Sequence, residues 1–527
     1  MRIHSLYIKA PGFKNLIDFK IDFDEASPMT VLVGRNGTGK SNILEALTII
    51  FRDLDLEVST PPFSYELDYT CRGYRIIVDA DLARTTKKVQ FSVDGNTPLT
   101  GKTFTENKRV YLPNYVFGYY SGPSNRMQEH FLKHQERFYA DLINNTDEKD
   151  LPLRPLFFAQ HLHSQFVLLA FFLEQDQKAI NFLKDQLGII GLDSVLFVMK
   201  QPPWKSRVGD ERFWKARGVV ARLLDRLYAH SLAPLRHIWR VPLGFRNTKD
   251  LEHLYLYLPS THALQKLKAG YATQQDFFKA LESTYISELI REVRTRVTAR
   301  SAETPLTFRE LSEGEQQLLM VLGLLRFTRE DESLFLLDEP DTHLNPAWSV
   351  QYLEFLKTIG GLGENGHVIM ATHDPLVICG LTREQVRIML RDTLEAPVRS
   401  VMPDVDPRGM GINGLLRSEI YGLESALDLP TLKKIDARDA IHAKQEKLQA
   451  QDRDLSPEDR NKLIQLSDEL ASLGFARDYR DPIEQQFADA MARRRRRDSV
   501  LITPAALEKQ QKLADEILAE IIAEEKA

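Results

Sequence analysis

The chain has 527 residues, 43% of them hydrophobic and 27% charged, with a formal net charge of −5. This is the composition of a globular protein too long for one core, so two or three domains are expected, without disorder bias. Only Cys71 and Cys379 are present, which excludes a disulfide scaffold and a cysteine zinc site, and the net charge gives no general attraction to nucleic acid.

The opening MRIHSLYIKAPGF lacks an apolar signal core, and no run reaches the roughly 18 apolar residues of a membrane span. A cytoplasmic protein with no membrane partner is expected. Short β-like runs at 3–8, 16–23 and 30–33 precede a helix over 40–51, and further strands follow at 74–82, 88–93 and 111–120. From about 125 to 300 the pattern turns to helical periodicity, broken at Pro152, Pro202-Pro203 and Pro234 and without sustained heptads. β/α character returns over 311–390 through buried strands at 334–337 and 367–371, followed by a mixed segment to 429. A helical hairpin then follows, its second helix opening at Ser456-Pro457-Glu458-Asp459, and Thr503-Pro504 starts a last helix. The expected fold is α/β, with a mixed-sheet core, a large helical insertion and a mostly helical C-terminal region. Its segments are 1–124, 125–304, 305–390 and 391–527.

The strongest chemical signal is Gly34-Arg35-Asn36-Gly37-Thr38-Gly39-Lys40-Ser41, a phosphate loop between a strand and a helix. Its glycines let the N–H groups of Asn36, Gly37, Thr38 and Gly39 turn toward phosphate, beside the positive end of the helix. Lys40 would reach the β- and γ-phosphates, and the Ser41 hydroxyl would join the Mg²⁺ shell, so ATP with Mg²⁺ is the expected cofactor pair. The apolar run Leu334-Phe335-Leu336-Leu337 ends in Asp338-Glu339, where parallel sheets place ligands; Asp338 is the expected Mg²⁺ residue and Glu339 the general base.

Leu311-Ser312-Glu313-Gly314-Glu315-Gln316, 27 residues before Asp338, resembles the ABC signature. With the phosphate loop, or Walker A motif, it makes the chain similar to ABC-type AAA ATPases of the SMC/RecF/OLD-like branch. That resemblance implies an ABC-type head in which Ser312 and the Gly314 N–H serve the γ-phosphate held by a second copy, hence a homodimer or higher homo-oligomer. Glu313 departs from the family's glycine, and Ser312 with Glu315 equally forms a capping box at a helix start. Asp341-Thr342-His343-Leu344-Asn345-Pro346 falls at the family's D-loop. His373, 35 residues after Asp338, falls at its switch histidine. By the same resemblance, Gln128 is the candidate Q-loop residue and Lys14 the basic residue near the first strand.

The stretches 406–416, 421–423 and 474–482 are similar to the ATPases of Septu and retron-associated anti-phage systems, the PtuA-like family. This implies ATP-driven control of a separate, PtuB-like HNH nuclease, and in some relatives a reverse transcriptase with its DNA–RNA product. Asp404-Val405-Asp406 is a D-x-D of the kind that Toprim nucleases use, but Pro403 and Pro407 flank it and suit a buried strand end poorly, so no intrinsic nuclease is expected. Arg291, Arg294, Arg296 and Arg300, read as one helix, and the run Arg493–Arg497 are candidate nucleic-acid contacts. A RecF-like DNA-repair ATPase and a nucleotide-gated scaffold with little turnover remain as alternatives.

Overall fold

The computed structural model describes residues 1–23, 26–95, 99–144, 154–174, 177–242, 248–327, 332–360, 366–393, 395–423, 427–449, 453–473 and, near the end, Lys512, Ala514, Ile517 and Leu518. The run Arg493–Arg497, the stretch 474–482, Pro152 and the start of the last expected helix lie outside the described residues. The chain divides into a unit Met1–Leu423 and a unit Glu424–Ala527.

A seven-stranded sheet forms the centre of the first unit. Its order is Arg399–Val401, Val386–Leu390, Met29–Gly34, His367–Ala371, Ser333–Asp338, Tyr115–Tyr120, Leu156–Phe158, parallel throughout except at the first pair. Strands buried on both faces need apolar residues at every position, and Leu334 to Leu337 supply them. The pleat then sorts these side chains by parity. Leu32, Leu336 and Ile369 join a core with the helix Lys40–Asp55 and a five-stranded antiparallel sheet, ordered Phe19–Asp22, Arg2–Ile8, Tyr65–Cys71, Tyr74–Ala80, Val89–Val93. Val31, Phe335 and Val368 face a second core, built with the helices His163–Glu174, Gln274–Ile286 and Glu313–Phe327.

The insertion differs from the helical expectation. Its helices, among them Leu132–Asn144 and Gly218–His230, alternate with an antiparallel sheet ordered Leu235–Pro242, Thr248–Leu258, Ile189–Lys200, Ile290–Ala299, Leu306–Thr307. The run at 195–199 is apolar at every position, and such a run has no period that separates strand from helix. In Ile290–Ala299, Val293, Thr295 and Val297 are buried while Arg294 and Arg296 are exposed, a strict period of two. Arg291, Arg294 and Arg296 therefore lie on a strand and Arg300 in the turn that follows it, not on one helix. The expected strand at 111–120 is likewise shorter: Lys108–Tyr111 is a helical turn and Tyr115–Tyr120 the strand.

A buried ionic cluster lies where the insertion meets the last strand of the central sheet. Glu282, 0% exposed, takes Arg154 at 2.6 Å and His163 at 2.7 Å on its two carboxylate oxygens. Arg154 also lies over the Phe157 ring, 4.5 Å from its centroid. Burial opposes ionisation of Glu282, but its contacts with His163 and Arg154 outweigh it and hold the carboxyl at about 2.

In the second unit the helices Leu429–Gln449 and Pro457–Ser472 pack as an antiparallel hairpin, with Lys434 paired to Glu469 at 2.9 Å and Lys444 to Asp459 at 2.6 Å. Ser456 caps the second helix by accepting from the Asp459 N–H, with Pro457 in the first turn.

Candidate nucleotide site

The parallel register brings the C-terminal ends of four strands to one rim of the central sheet. Asp338 is opposite Ala371 on one side and Tyr120 on the other, and Ala371 is opposite Leu32. The phosphate loop leaves this rim at Gly34. There φ is +143°, and a Cβ would stand 2.4 Å from the Met389 carbonyl oxygen of the neighbouring strand, so only glycine fits. The loop is braced from within and from outside: the Thr38 hydroxyl donates to the Arg35 carbonyl at 2.8 Å, and Asn15 Nδ2, from the segment after the first strand, to the Gly37 carbonyl at 3.0 Å. Asn36 and Gly37 are exposed, while Thr38, Gly39 and Lys40 are buried.

Lys40 Nζ donates to the Gly34 carbonyl at 2.7 Å and to that of Arg35 at 3.3 Å. Its burial lowers its pKa, opposed by the negative charges of Glu339 and Asp338. Ser41 Oγ donates to Asp338 Oδ1 at 3.0 Å. The Asp338 side chain is only 3% exposed, and burial pushes its carboxyl up to about 6 against the Ser41 hydrogen bond and the Arg126 charge. A hydroxyl beside a buried, poorly solvated carboxylate is the donor set that a hard divalent cation such as Mg²⁺ prefers, with remaining positions for water and phosphate oxygen. These residues fit Mg²⁺.

Glu339 follows in the left-handed region, φ +52°, with its N–H donating to the Ala371 carbonyl at 2.8 Å. This turn aims its carboxylate at His373, whose Nδ1 is 3.3 Å from Glu339 Oε1. The Tyr421 hydroxyl donates to the His373 carbonyl at 3.0 Å. Asp341 is buried, accepts from the Thr372 hydroxyl, and is pushed up to about 6 by that burial, so the loops after the two neighbouring strands are tied together.

The signature segment opens the helix Glu313–Phe327 with the expected capping box. Glu315 Oε2 accepts from the Ser312 N–H at 2.6 Å and from its hydroxyl at 2.8 Å, and the Glu315 N–H donates to Ser312 Oγ at 3.3 Å. Ser312 is exposed. Gly314 is buried against the D-loop, where a Cβ would meet the His343 carbonyl oxygen at 2.4 Å. Glu313 pairs with His343 Nδ1 at 3.3 Å.

Two expected residues have other surroundings. The Lys14 ammonium is paired with Glu45, which also holds His130 at 2.9 Å. Gln128 opens the short turn Gln128–Phe131. From this region it is Arg126 that reaches the site, 3.5 Å from Asp338 Oδ2 and stacked over Tyr120 at 5.2 Å. Sequence reasoning missed Arg126 because it looked for a glutamine; an arginine after the Ser121-Gly122-Pro123 turn was the available signal. It also missed Gln317, which donates to the Tyr119 hydroxyl at 2.9 Å and accepts from the His343 N–H at 3.1 Å. The D-x-D carries structural bonds: Asp406 Oδ1 accepts from the Arg383 N–H at 2.9 Å, and the Asp404 N–H donates to Glu419 at 2.6 Å.

The chain is similar to known proteins over parts of its length. The family model described as AAA ATPase domain matches residues 1–179, and a second AAA domain model, whose description names the AbiEii toxin of a Type IV TA system, matches residues 220–378. The Septu protein PtuA of Bacillus mycoides (strain KBAB4) is 29% identical over 156 residues, 28% of this chain and 21% of that protein. Protein ea59 of Escherichia phage lambda is 30% identical over 116 residues, 22% of this chain and 21% of that protein. The matches thus span about a fifth of the length of these relatives. Among solved structures, the SMC head domain from Thermotoga maritima aligns with a TM-score of 0.31 at 14% identity, covering 77% of this chain and 100% of that one. No helix among the described residues is long and apolar enough to cross a membrane. Two stretches of the chain thus match AAA-domain models, and part of it resembles Septu PtuA.

Proposed function

We propose that the chain binds ATP with Mg²⁺, hydrolyses it in sites shared between two copies, and through this cycle controls a separate HNH-type nuclease in anti-phage defence. The observation that carries the reading is the meeting of Lys40, Ser41, Asp338, Glu339 and His373 at one sheet rim. In this reading Lys40 exchanges its two backbone carbonyls for the β- and γ-phosphates, and the loop N–H groups bind the same oxygens. Asp338 and Ser41 hold Mg²⁺, which supplies charge neutralisation of the phosphates. Glu339 takes the proton of the attacking water, and His373, beside it, orients that water. Segments 1–124 and 305–390 are the two lobes of the ATPase head, and 391–527 includes the docking region.

The exposed Ser312, whose hydroxyl bonds only within its own capping box among the described residues, supports a role for it on the nucleotide of a second copy. The nuclease partner and the defence role rest on the likeness to PtuA, and the Asp406 carboxylate, bonded to the Arg383 N–H, supports a partner rather than this chain as the nuclease.

Two substitutions test the site. Lys40→Ala should abolish binding of a fluorescent ATP analogue, whereas Glu339→Gln should retain it and shift the protein to a nucleotide-trapped dimer in light scattering. Equal loss of binding in both removes the assigned roles. Purified chain should leave DNA and RNA intact with Mg²⁺ or Mn²⁺ and should co-purify with an HNH nuclease encoded beside it. Metal-dependent cleavage lost on Asp406→Ala would overturn the partner reading.

A further inference from the structure

The antiparallel sheet of the insertion has one face in the core, through Val195, Phe197, Leu254, Leu256, Val293 and Val297. Antiparallel partners share a face, so the register states what the opposite face carries. Tyr257 is opposite Leu196, which is opposite Arg294; His253 is opposite both His237 and Lys200; Ser194 is opposite Arg296. Trp239, two residues beyond His237, continues the same face at the sheet's edge.

Ser194, Val198 and His253 on this face are buried, while two of its rings and two of its arginines are exposed. Trp239 is 50% and Tyr257 37% exposed, the Arg294 side chain 61%, and Arg296 is also exposed. The carboxylates are too few to balance it. Glu292, its side chain 19% exposed, is shared by Arg294 at 2.9 Å and Arg309 at 2.7 Å, and Glu288 is 3.9 Å from Lys200. Arg291 bonds the neutral-leaning His253 ring at 2.8 Å, and Arg296 donates to the Pro305 carbonyl at 3.5 Å, with Glu310 within reach of its charge. A chain of net charge −5 therefore concentrates positive charge beside the exposed Tyr257 ring, with Trp239 about 20 Å further along the same face.

We propose that this face binds unpaired single-stranded nucleic acid, with bases stacked on Tyr257 and Trp239 and phosphates against Arg294 and Arg296. Two strand spacings separate the Tyr257 and Arg294 backbones, about 10 Å, which the long arginine side chain shortens to the reach of one nucleotide. Ring faces on a sheet serve bases that are not already stacked in a duplex, whereas cations alone would suit any polyanion. The proposal stands independently of the nuclease reading, since it concerns another surface and is measured without ATP.

The test is fluorescence anisotropy of the full chain with labelled oligo-dT and oligo-rU of about 16 nucleotides, and with a duplex of equal length. Both single strands should bind more tightly than the duplex; preference between them identifies DNA or RNA as the source. For three phosphates neutralised, log K should fall by roughly 2 per decade of salt. Tyr257→Ala should weaken binding about fivefold or more with that slope unchanged. Arg294→Ser with Arg296→Ser should lower the slope by roughly 1.4. An unchanged thermal unfolding midpoint shows that each variant is folded. Equal binding of duplex and single strand with no effect of Tyr257→Ala would overturn the proposal in favour of a phosphate-only patch. Binding untouched by all three substitutions, or none at about 50 mM salt, would overturn it outright.

Discussion

Glu282→Gln removes one charge from the Arg154–Glu282–His163 cluster while keeping the shape of the side chain. Because Glu282 is 0% exposed and Arg154 5%, the guanidinium would be left buried without a counter-charge. Breaking such a pair from one side costs about 3–5 kcal/mol. The held-down carboxyl gives a second estimate. A group at about 2 in the folded protein and 4.5 otherwise contributes on the order of 3 kcal/mol. The sign follows from a depressed acid: the contribution is complete above about pH 4.5 and drains away as pH falls toward 2. Urea unfolding followed by far-UV circular dichroism should therefore show the variant much less stable than the parent at pH 7. The gap should narrow as the parent is taken below pH 4. Equal unfolding midpoints at pH 7 would refute the reasoning, since no uncompensated buried arginine could then exist.

The signature is expected to act between copies. Mixing Lys40→Ala chains with Ser312→Arg chains should restore part of the ATPase activity that each lacks alone, and zero activity after proven subunit exchange would count against shared sites. Gly314→Ala places a methyl 2.4 Å from the His343 carbonyl oxygen; it should slow phosphate release at least about tenfold while leaving binding of labelled ATP intact. Arg126→Ala removes a charge that lowers the Asp338 pKa. In the metal- and nucleotide-free protein the Asp338 carboxyl should then titrate above about 6, read from its NMR chemical shift against pH, and an unchanged titration would mean that Arg126 does not act on it.

The phosphate loop and the acidic strand were legible because their chemistry fixes both residue type and spacing along one short segment. The strand–loop–helix around Lys40 and the apolar run before Asp338 are local features, and the fold places them as neighbours through register alone. Arg126 was not legible. Its contact with Asp338 joins positions 212 residues apart, and its one local hint, a place after the Ser121-Gly122-Pro123 turn, does not name that partner. The insertion was misread for a different reason. Ile290–Ala299 has period-two burial, but a row of arginines on its outer side resembles the polar stripe of a helix. Ile189–Lys200 carries side chains packed so continuously that periodicity is lost.

The interleaving of the central sheet has a consequence for synthesis. The strand carrying the phosphate loop, Met29–Gly34, is made first, yet its partners are His367–Ala371 and Val386–Leu390, and Met29 pairs with Val368, 339 positions later. At about 5–20 residues per second, the ribosome takes roughly 15 to 70 s to deliver that partner. Throughout that interval Val31, Leu32 and Val33 are an apolar strand with two open edges, the form most prone to pair with the wrong chain. The nascent protein should therefore depend on a holding chaperone. A message cut before codon 367 should yield insoluble product even though it encodes the complete phosphate loop.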